Sequence, residues 1–392
     1  MVAVLIVAFS LSLLTAISLS HAQLVCSVTD HGAVGDGKTN DTEAFLKTFL
    51  LCATFAGYHT VFVPQGTYLV WPLSVPGGEC VNMEFLVEGT IVAPDDPASW
   101  PQNKTFLYFE NCNHFTITGA GIGAIDGRGQ KWWEIRRKDS SIEAPYLLTI
   151  AHSENVYVSN ISLLNSPMFH LVPQYSTNVL IERVNISAPA DSPNTDGIDP
   201  MACQNVLIQY CMLSGGDDNI AIKAGSRDVL VRYNTFGSGH GCSIGSINDT
   251  GVQNVYVHDC SFVGTDNGVR IKTWQGGSGI IANVTYQKLT MTQVGTPILI
   301  TMYYCPQGGC KNSTEGVVIK DIVFDSIVAS QTTGAAGQFL CSDAVPCTDI
   351  ALYNISVTAY QGEKKNAFYC WSAYGTATDV EPASCLGTQL RY

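Results

Sequence analysis

Charge is what this 392-residue chain has least of. Asp, Glu, Lys and Arg together make up only 14% of it, and 20 basic residues face 33 acidic ones for a net charge of −13. That balance argues against nucleic acid or an anionic membrane as partner, because both need a cationic face. No Cys-x-x-Cys pair with zinc spacing occurs among the 14 cysteines. Beyond the N-terminus no apolar run approaches the length of a membrane span. Sustained helical periodicity is missing from the centre of the chain, and Asn-Gly or Asp-Gly hairpin signals are scarce there.

What is present is apolar and turn-rich. Hydrophobic residues reach 46% and Gly 36 copies, enough for a large core with many tight turns and too much for wholesale disorder. Val2 to Leu14 is a mostly apolar, uncharged run, followed by Ser20-His21-Ala22 with small residues where a signal peptidase cuts. The expectation is a signal peptide over residues 1–22, one catalytic unit over 23–392, and a secreted protein of the extracellular space or cell wall. An even number of cysteines suits an oxidising compartment. Cys305 with Cys310 and Cys341 with Cys347 are spaced as local clips and Cys370 with Cys385 can close the C-terminal loop, the alternative for some being buried free thiols. Candidate glycan sites are the sequons at Asn40, Asn103, Asn160, Asn185, Asn248, Asn283, Asn312 and Asn354.

The organising signal is self-similarity. Four-residue segments beginning at Asn155 (NVYV), Asn178 (NVLI), Asn205 (NVLI), Asp228 (DVLV), Asn254 (NVYV) and Asn283 (NVTY) align by their first residue, with Gly316 (GVVI) and Asp349 (DIAL) continuing the series. Their starts lie 23, 27, 23, 26, 29, 33 and 33 residues apart. Short β-branched runs at such a period point to a solenoid, whereas propeller repeats are about 40 residues or longer and contain hairpins. The predicted fold is all-β: a single-domain, right-handed parallel β-helix (solenoid) with a short N-terminal capping helix over Thr42 to Ala56. Asn or Asp at one corner of each coil can stack as a polar ladder. The tail after Cys341 is expected to shield the far end.

Four polar motifs fall on successive coils: Asn194-Thr195-Asp196, Gly216-Asp217-Asp218-Asn219, Gly239-His240-Gly241 and Arg270-Ile271-Lys272. Asp196 to Asp218 and Asp218 to His240 are 22 residues each, one coil per step. Asp196, Asp218 and His240 should then form a column, with Asp217 beside it and Arg270 and Lys272 pointing the same way from one strand. Clustered carboxylates repel, which keeps at least one protonated as an acid while another activates water. Arg270 and Lys272 can neutralise an acidic sugar, and His240 can tune a carboxyl. Alone, each motif reads as a turn, a calcium ligand pair or a solvated strand edge; their order and spacing favour a site.

These blocks resemble the polygalacturonase family of inverting glycoside hydrolases. Ala124-Ile125-Asp126-Gly127 with Trp132-Trp133, and Asp30-His31-Gly32-Ala33-Val34-Gly35-Asp36-Gly37, are similar to family text as well, so the resemblance spans nearly all the mature chain. It implies Asp217 as general acid, Asp196 and Asp218 as the pair holding and deprotonating the water, and His240 as an acid-tuning group. It further implies Asn194, Arg270, Lys272 and Tyr304 as substrate-binding residues, no metal or other cofactor, and a monomer acting on pectin or galacturonan. Asn219 departs from the family's common Cys, Met302 from its common Gln, and Asp199 from the His of many endo-acting members. Asp199 resembles members that trim chain ends, which is compatible with exo action. The rival readings are a pectate lyase-like β-elimination and a non-catalytic, wall-polysaccharide-binding β-helix.

Overall fold

A computed structural model describes residues 24–100, 105–361 and 366–388; the expected signal peptide and the Asn103 sequon lie outside them. In each repeat Val and Ile alternate with polar residues, so one row must turn inward. Val179 and Ile181, Val206 and Ile208, and Val229 and Val231 are each at most 2% exposed. The strands that carry them, Thr177–Glu182, Gln204–Gln209 and Arg227–Arg232, pair in parallel and in register, Val179 to Val206 to Val229. The pairing continues through Val252–Val263, Ile280–Thr292, Val318–Thr332, Cys347–Ala359 and Ala373–Glu381. Successive turns stacked this way form a right-handed parallel β-helix. Inward aromatics also stack coil on coil, Phe236 on Phe262 at 4.4 Å and Tyr286 on Phe324 at 5.2 Å.

The corner Asn residues do two things. Asn155, Asn178, Asn205, Asp228, Asn254 and Asn283 all take φ between 55° and 59°, a conformation Asn and Asp tolerate better than other side chains. Their side chains bond coil to coil, Asn178 Nδ2 donating to Asn155 Oδ1 at 3.0 Å and Asn205 Nδ2 to Asn178 Oδ1 at 2.6 Å. A second run links Asn254 to Asp228 at 2.7 Å and Asn283 to Asn254 at 2.8 Å. The next member is Asp321 (φ 56°), not Gly316: Val284 pairs with Ile322. The segment holding the Cys305–Cys310 clip lengthens that connection and displaces the simple count.

A further face carries Arg270 and Lys272. It runs from Leu73–Val75 through Thr105–Glu110, Tyr146–Ala151 and Leu171–Gln174, and crosses isolated bridges at Ile198 and Met201. It resumes with Ile220–Ile222, Cys242–Ile247, Asn267–Trp274, Thr296–Tyr304, Gly337–Leu340 and Phe368–Trp371.

Helix α1 (Thr42–Cys52) caps the first coil, burying Phe45 and Phe49, the latter 5.2 Å from Phe85. It stops short of Ala56 because Thr54 Oγ1 takes up the Leu51 carbonyl at 2.7 Å and Gly57 turns left-handed at φ 101°. A second helix, α2 (Gln130–Lys138), has no counterpart in the sequence reading: it is short and lacks a capping side chain. The tail after Cys341 adds strands Cys347–Ala359, Phe368–Trp371 and Ala373–Glu381, so it extends the solenoid before it closes it.

The two expected clips and the C-terminal closure form, joined by Cys26–Cys52 and Cys80–Cys112. Cys203, Cys211, Cys242 and Cys260 are free and buried; burial pushes Cys203 up to about 11 and Cys211 and Cys260 up to about 12, which makes them inert. Cys26–Cys52, 26 residues apart, ties the capping helix to the first strand. A Cys26→Ala/Cys52→Ala variant should lose about 3–4 kcal/mol of stability, read as a lower urea midpoint. An unchanged midpoint would show that the helix needs no such tie.

Candidate active site

Ile198 pairs with Ile220 and Ile220 with Cys242, which sets Asp196, Asp218 and His240 level on adjacent turns, two residues before each. The turns preceding these strands pack backbone against backbone. A Cβ at Gly216 would lie 2.0 Å from the Ser192 carbonyl oxygen, and one at Gly239 (φ 136°) 2.6 Å from that of Asp217. Only glycine admits this approach, and it brings the motifs onto one stretch of surface.

The three side chains differ in exposure: Asp196 and Asp218 are buried, whereas the His240 side chain keeps 30% exposure. Asp218 is fully buried, covered by Arg270 and Lys272. Its Oδ1 accepts from Ser243 Oγ at 2.8 Å and from Arg270 Nη2, and its Oδ2 accepts from Lys272 Nζ at 2.7 Å. Burial opposes ionisation, but Lys272 and Arg270 outweigh it and hold the carboxyl far below its usual range. Arg270 and Lys272, expected to face an acidic sugar, are thus engaged first by Asp218. Tyr304 lies under the Lys272 ammonium, 4.8 Å from its ring centre, and braces against Trp274.

Asp217 faces the groove, its side chain only 17% exposed. Its Oδ1 accepts from His240 Nδ1 at 2.9 Å and from the Asp218 amide at 2.8 Å. Its Oδ2 accepts from Asn194 Nδ2 at 3.2 Å. Arg136, from α2, donates to Asn194 Oδ1 at 2.7 Å and so turns the amide nitrogen toward Asp217. Burial is the largest influence on Asp217 and raises its proton affinity, but the His240 hydrogen bond, the His240 charge and Lys272 together outweigh it and the net direction is down. His240 moves the other way: desolvation opposes its charge, yet Asp217 raises it overall.

Asp196 is the carboxyl pushed well above its ordinary value, first by burial, then by repulsion from Asp217 and Asp199. Of the three clustered aspartates, Asp217 and Asp218 are instead drawn down by His240, Arg270 and Lys272. Asp196 Oδ2 lies 3.3 Å from Lys223 Nζ, which also reaches Asp199 Oδ2 at 3.0 Å. Asp199 is fully buried and rises to about 6, by burial offset mainly by Lys223. The Lys223 ammonium sits 5.0 Å over the Phe169 ring. His170 Nδ1 donates to the Asp196 carbonyl at 2.9 Å, while its Nε2 accepts from Ser166 N, and burial pushes it down to about 4, so it is neutral.

Lys223, Arg136 and Ser243 were absent from the sequence reading. Lys223 had a signal: Ile222 pairs with Ile244 and Gly245 with Lys272, so the two lysines share a column with a glycine between them. Arg136 had none, since α2 lies outside the repeat. Ligand atoms of Asp217, Asp218 and His240 lie within 4.8 Å of one another, but a divalent ion there would have to displace Lys272 and Arg270 from Asp218.

The family model described as glycosyl hydrolases family 28 matches residues 52–378, and a rhamnogalacturonase A/epimerase, pectate lyase-like model matches residues 25–72. A polygalacturonase of Chamaecyparis obtusa is 38% identical over 380 residues, covering 92% of this chain and 74% of its own length. One from Prunus persica is 35% identical over 392 residues, covering 96% and 98%. The solved polygalacturonase from Erwinia carotovora ssp. carotovora superposes with a TM-score of 0.77 at 26% identity, over 92% of this chain and 98% of that one. With a model match over most of its length and relatives this similar, the chain belongs to the glycosyl hydrolases family 28 and is a glycoside hydrolase of the polygalacturonase family.

Proposed function

We propose that this protein is a secreted, monomeric polygalacturonase that hydrolyses the α-1,4-galacturonosyl linkages of pectin with inversion. One observation carries the reading: two carboxyls with opposite tuning share the groove, Asp217 hydrogen-bonded to His240 and Asp196 buried against Lys223. The Asp217–His240 pair stores a proton at mildly acidic pH. Asp217 delivers it to the glycosidic oxygen as the bond to the anomeric carbon breaks. Asp196, whose burial makes it a stronger base than a surface carboxylate, takes a proton from the water that attacks the opposite face. Asp218, kept ionised by Arg270 and Lys272, orients that water and stabilises the oxocarbenium charge. Five disulfides among the described residues support an oxidising, extracellular location.

The test is product chemistry on polygalacturonate. New reducing ends without an unsaturated, ultraviolet-absorbing product are expected; the unsaturated product, with activity lost to a chelator, would mean elimination instead. Monomer as the sole product means exo action, and mixed oligomers mean endo. Arg270→Ala should raise KM about tenfold or more, since it removes both a cation from the substrate path and the Asp218 partner; an unchanged KM would take Arg270 out of the substrate path. Activity should fall as pH rises through the elevated pKa of His240, because Asp217 then lacks its proton source. A profile flat into alkaline pH would contradict the stored proton.

A further inference from the structure

The sheet bearing Arg270 and Lys272 does not end at the site. Its register carries Arg270 to Leu299, Gln338 and Tyr369, and Lys272 to Thr301, Leu340 and Trp371. On the last strand, Phe368–Trp371, the alternation turns Phe368 into the core and sends Tyr369 and Trp371 outward, 47% and 56% exposed. Between them Cys370 is bound to Cys385, which fixes the strand that presents the two rings. They stand three strand spacings from the Asp218 cations, roughly 14 Å, on the same outward row.

That position sets what can bind there. A polyanion approaching a protein of net charge −13 gains nothing from the field away from the cations at Asp218. Aromatic rings hold a sugar without needing charge: the CH-bearing face of a pyranose packs on the ring, and the Tyr hydroxyl or Trp indole N–H meets the sugar's oxygens. We propose that Tyr369 and Trp371 form a distal stacking platform for the galacturonan chain, gripping units about three strands away from the scissile bond. The proposal rests on the hydrolase reading above and deepens it: the enzyme would favour long chains over short ones.

The experiment compares polygalacturonate with trigalacturonate, which is too short to lie across the catalytic groups and reach the platform. Tyr369→Ala/Trp371→Ala should raise KM on the polymer about tenfold, equivalent to roughly 1.4 kcal/mol, with kcat and all trigalacturonate kinetics unchanged. Trp371→Phe should recover most of the loss. Should the double variant unfold, Trp371→Ala alone, at an exposed side chain, makes the same comparison. An unchanged polymer KM, or an equal loss on both substrates, would overturn the platform. A wild-type enzyme that cleaved neither substrate would instead overturn the hydrolase reading.

Discussion

Asp217→Asn should lower kcat by about 10²–10⁴-fold, the range for removing a general acid, while the β-helix stays folded. The amide keeps the size of the carboxyl, so the turn that carries it, with His240 N bonded to the Asp217 carbonyl at 2.8 Å, is undisturbed. What goes is the transferable proton and one negative charge. His240, raised mainly by its hydrogen bond to Asp217 against the pull of desolvation, should titrate at lower pH in the variant. Steady-state turnover, circular dichroism and the His240 NMR titration check the three parts separately. A folded variant that cleaves as fast as wild type would remove Asp217 from the chemistry.

Lys223→Met is expected to damage both stability and activity, by routes that can be told apart. One ammonium serves two buried carboxyls, Asp196 and Asp199. Removing it leaves both uncompensated, a loss of about 3–5 kcal/mol for breaking a buried pair. Even in the wild type, the folded state holds the Asp199 proton more tightly than the unfolded chain, with a value near 6 against an ordinary 3.8. That group's contribution to stability therefore falls as pH rises between those two values. In Lys223→Met both carboxyls should bind protons more tightly still, so the loss deepens and extends to higher pH. Asp196 would then be protonated where the enzyme works, lowering kcat about 10²-fold and moving the acidic limb of the pH profile upward. Lys223→Met/Asp199→Asn removes one of the two stranded charges and should regain most of the stability but not the turnover. A double variant that recovered both would mean that Lys223 acts on stability alone.

These expectations also mark where the sequence stopped being readable. The coil was legible because its cause is local: alternating Val and Ile need one buried face, and Asn at the corner suits a left-handed turn whatever lies around it. The same locality misplaced one coil at Gly316, where an inserted clip broke the count. Cys305–Cys310 and its two fellows were legible from short spacing, while Cys26–Cys52 and Cys80–Cys112 depend on which coils meet. At the site, the motif order put the right residues on neighbouring turns. It said nothing about which way each side chain would point. Asp218, once buried, needs Arg270 and Lys272 for itself, and that demand is visible only when its burial is known. Lys223 and Arg136 were hidden for a related reason. Each acts through a partner, Asp196 or Asn194, brought near by coil stacking or by a helix outside the repeat.

Inversion requires Asp217 and Asp196 to work from opposite faces of the sugar. Proton NMR of an α-linked oligogalacturonate in the first moments of hydrolysis reads this directly at the newly formed anomeric centre. The β-anomer of galacturonate should form first and mutarotate afterwards. An α-anomer forming first would mean retention through a covalent intermediate, and Asp217 and Asp196 would not be the acid and base of an inverting pair.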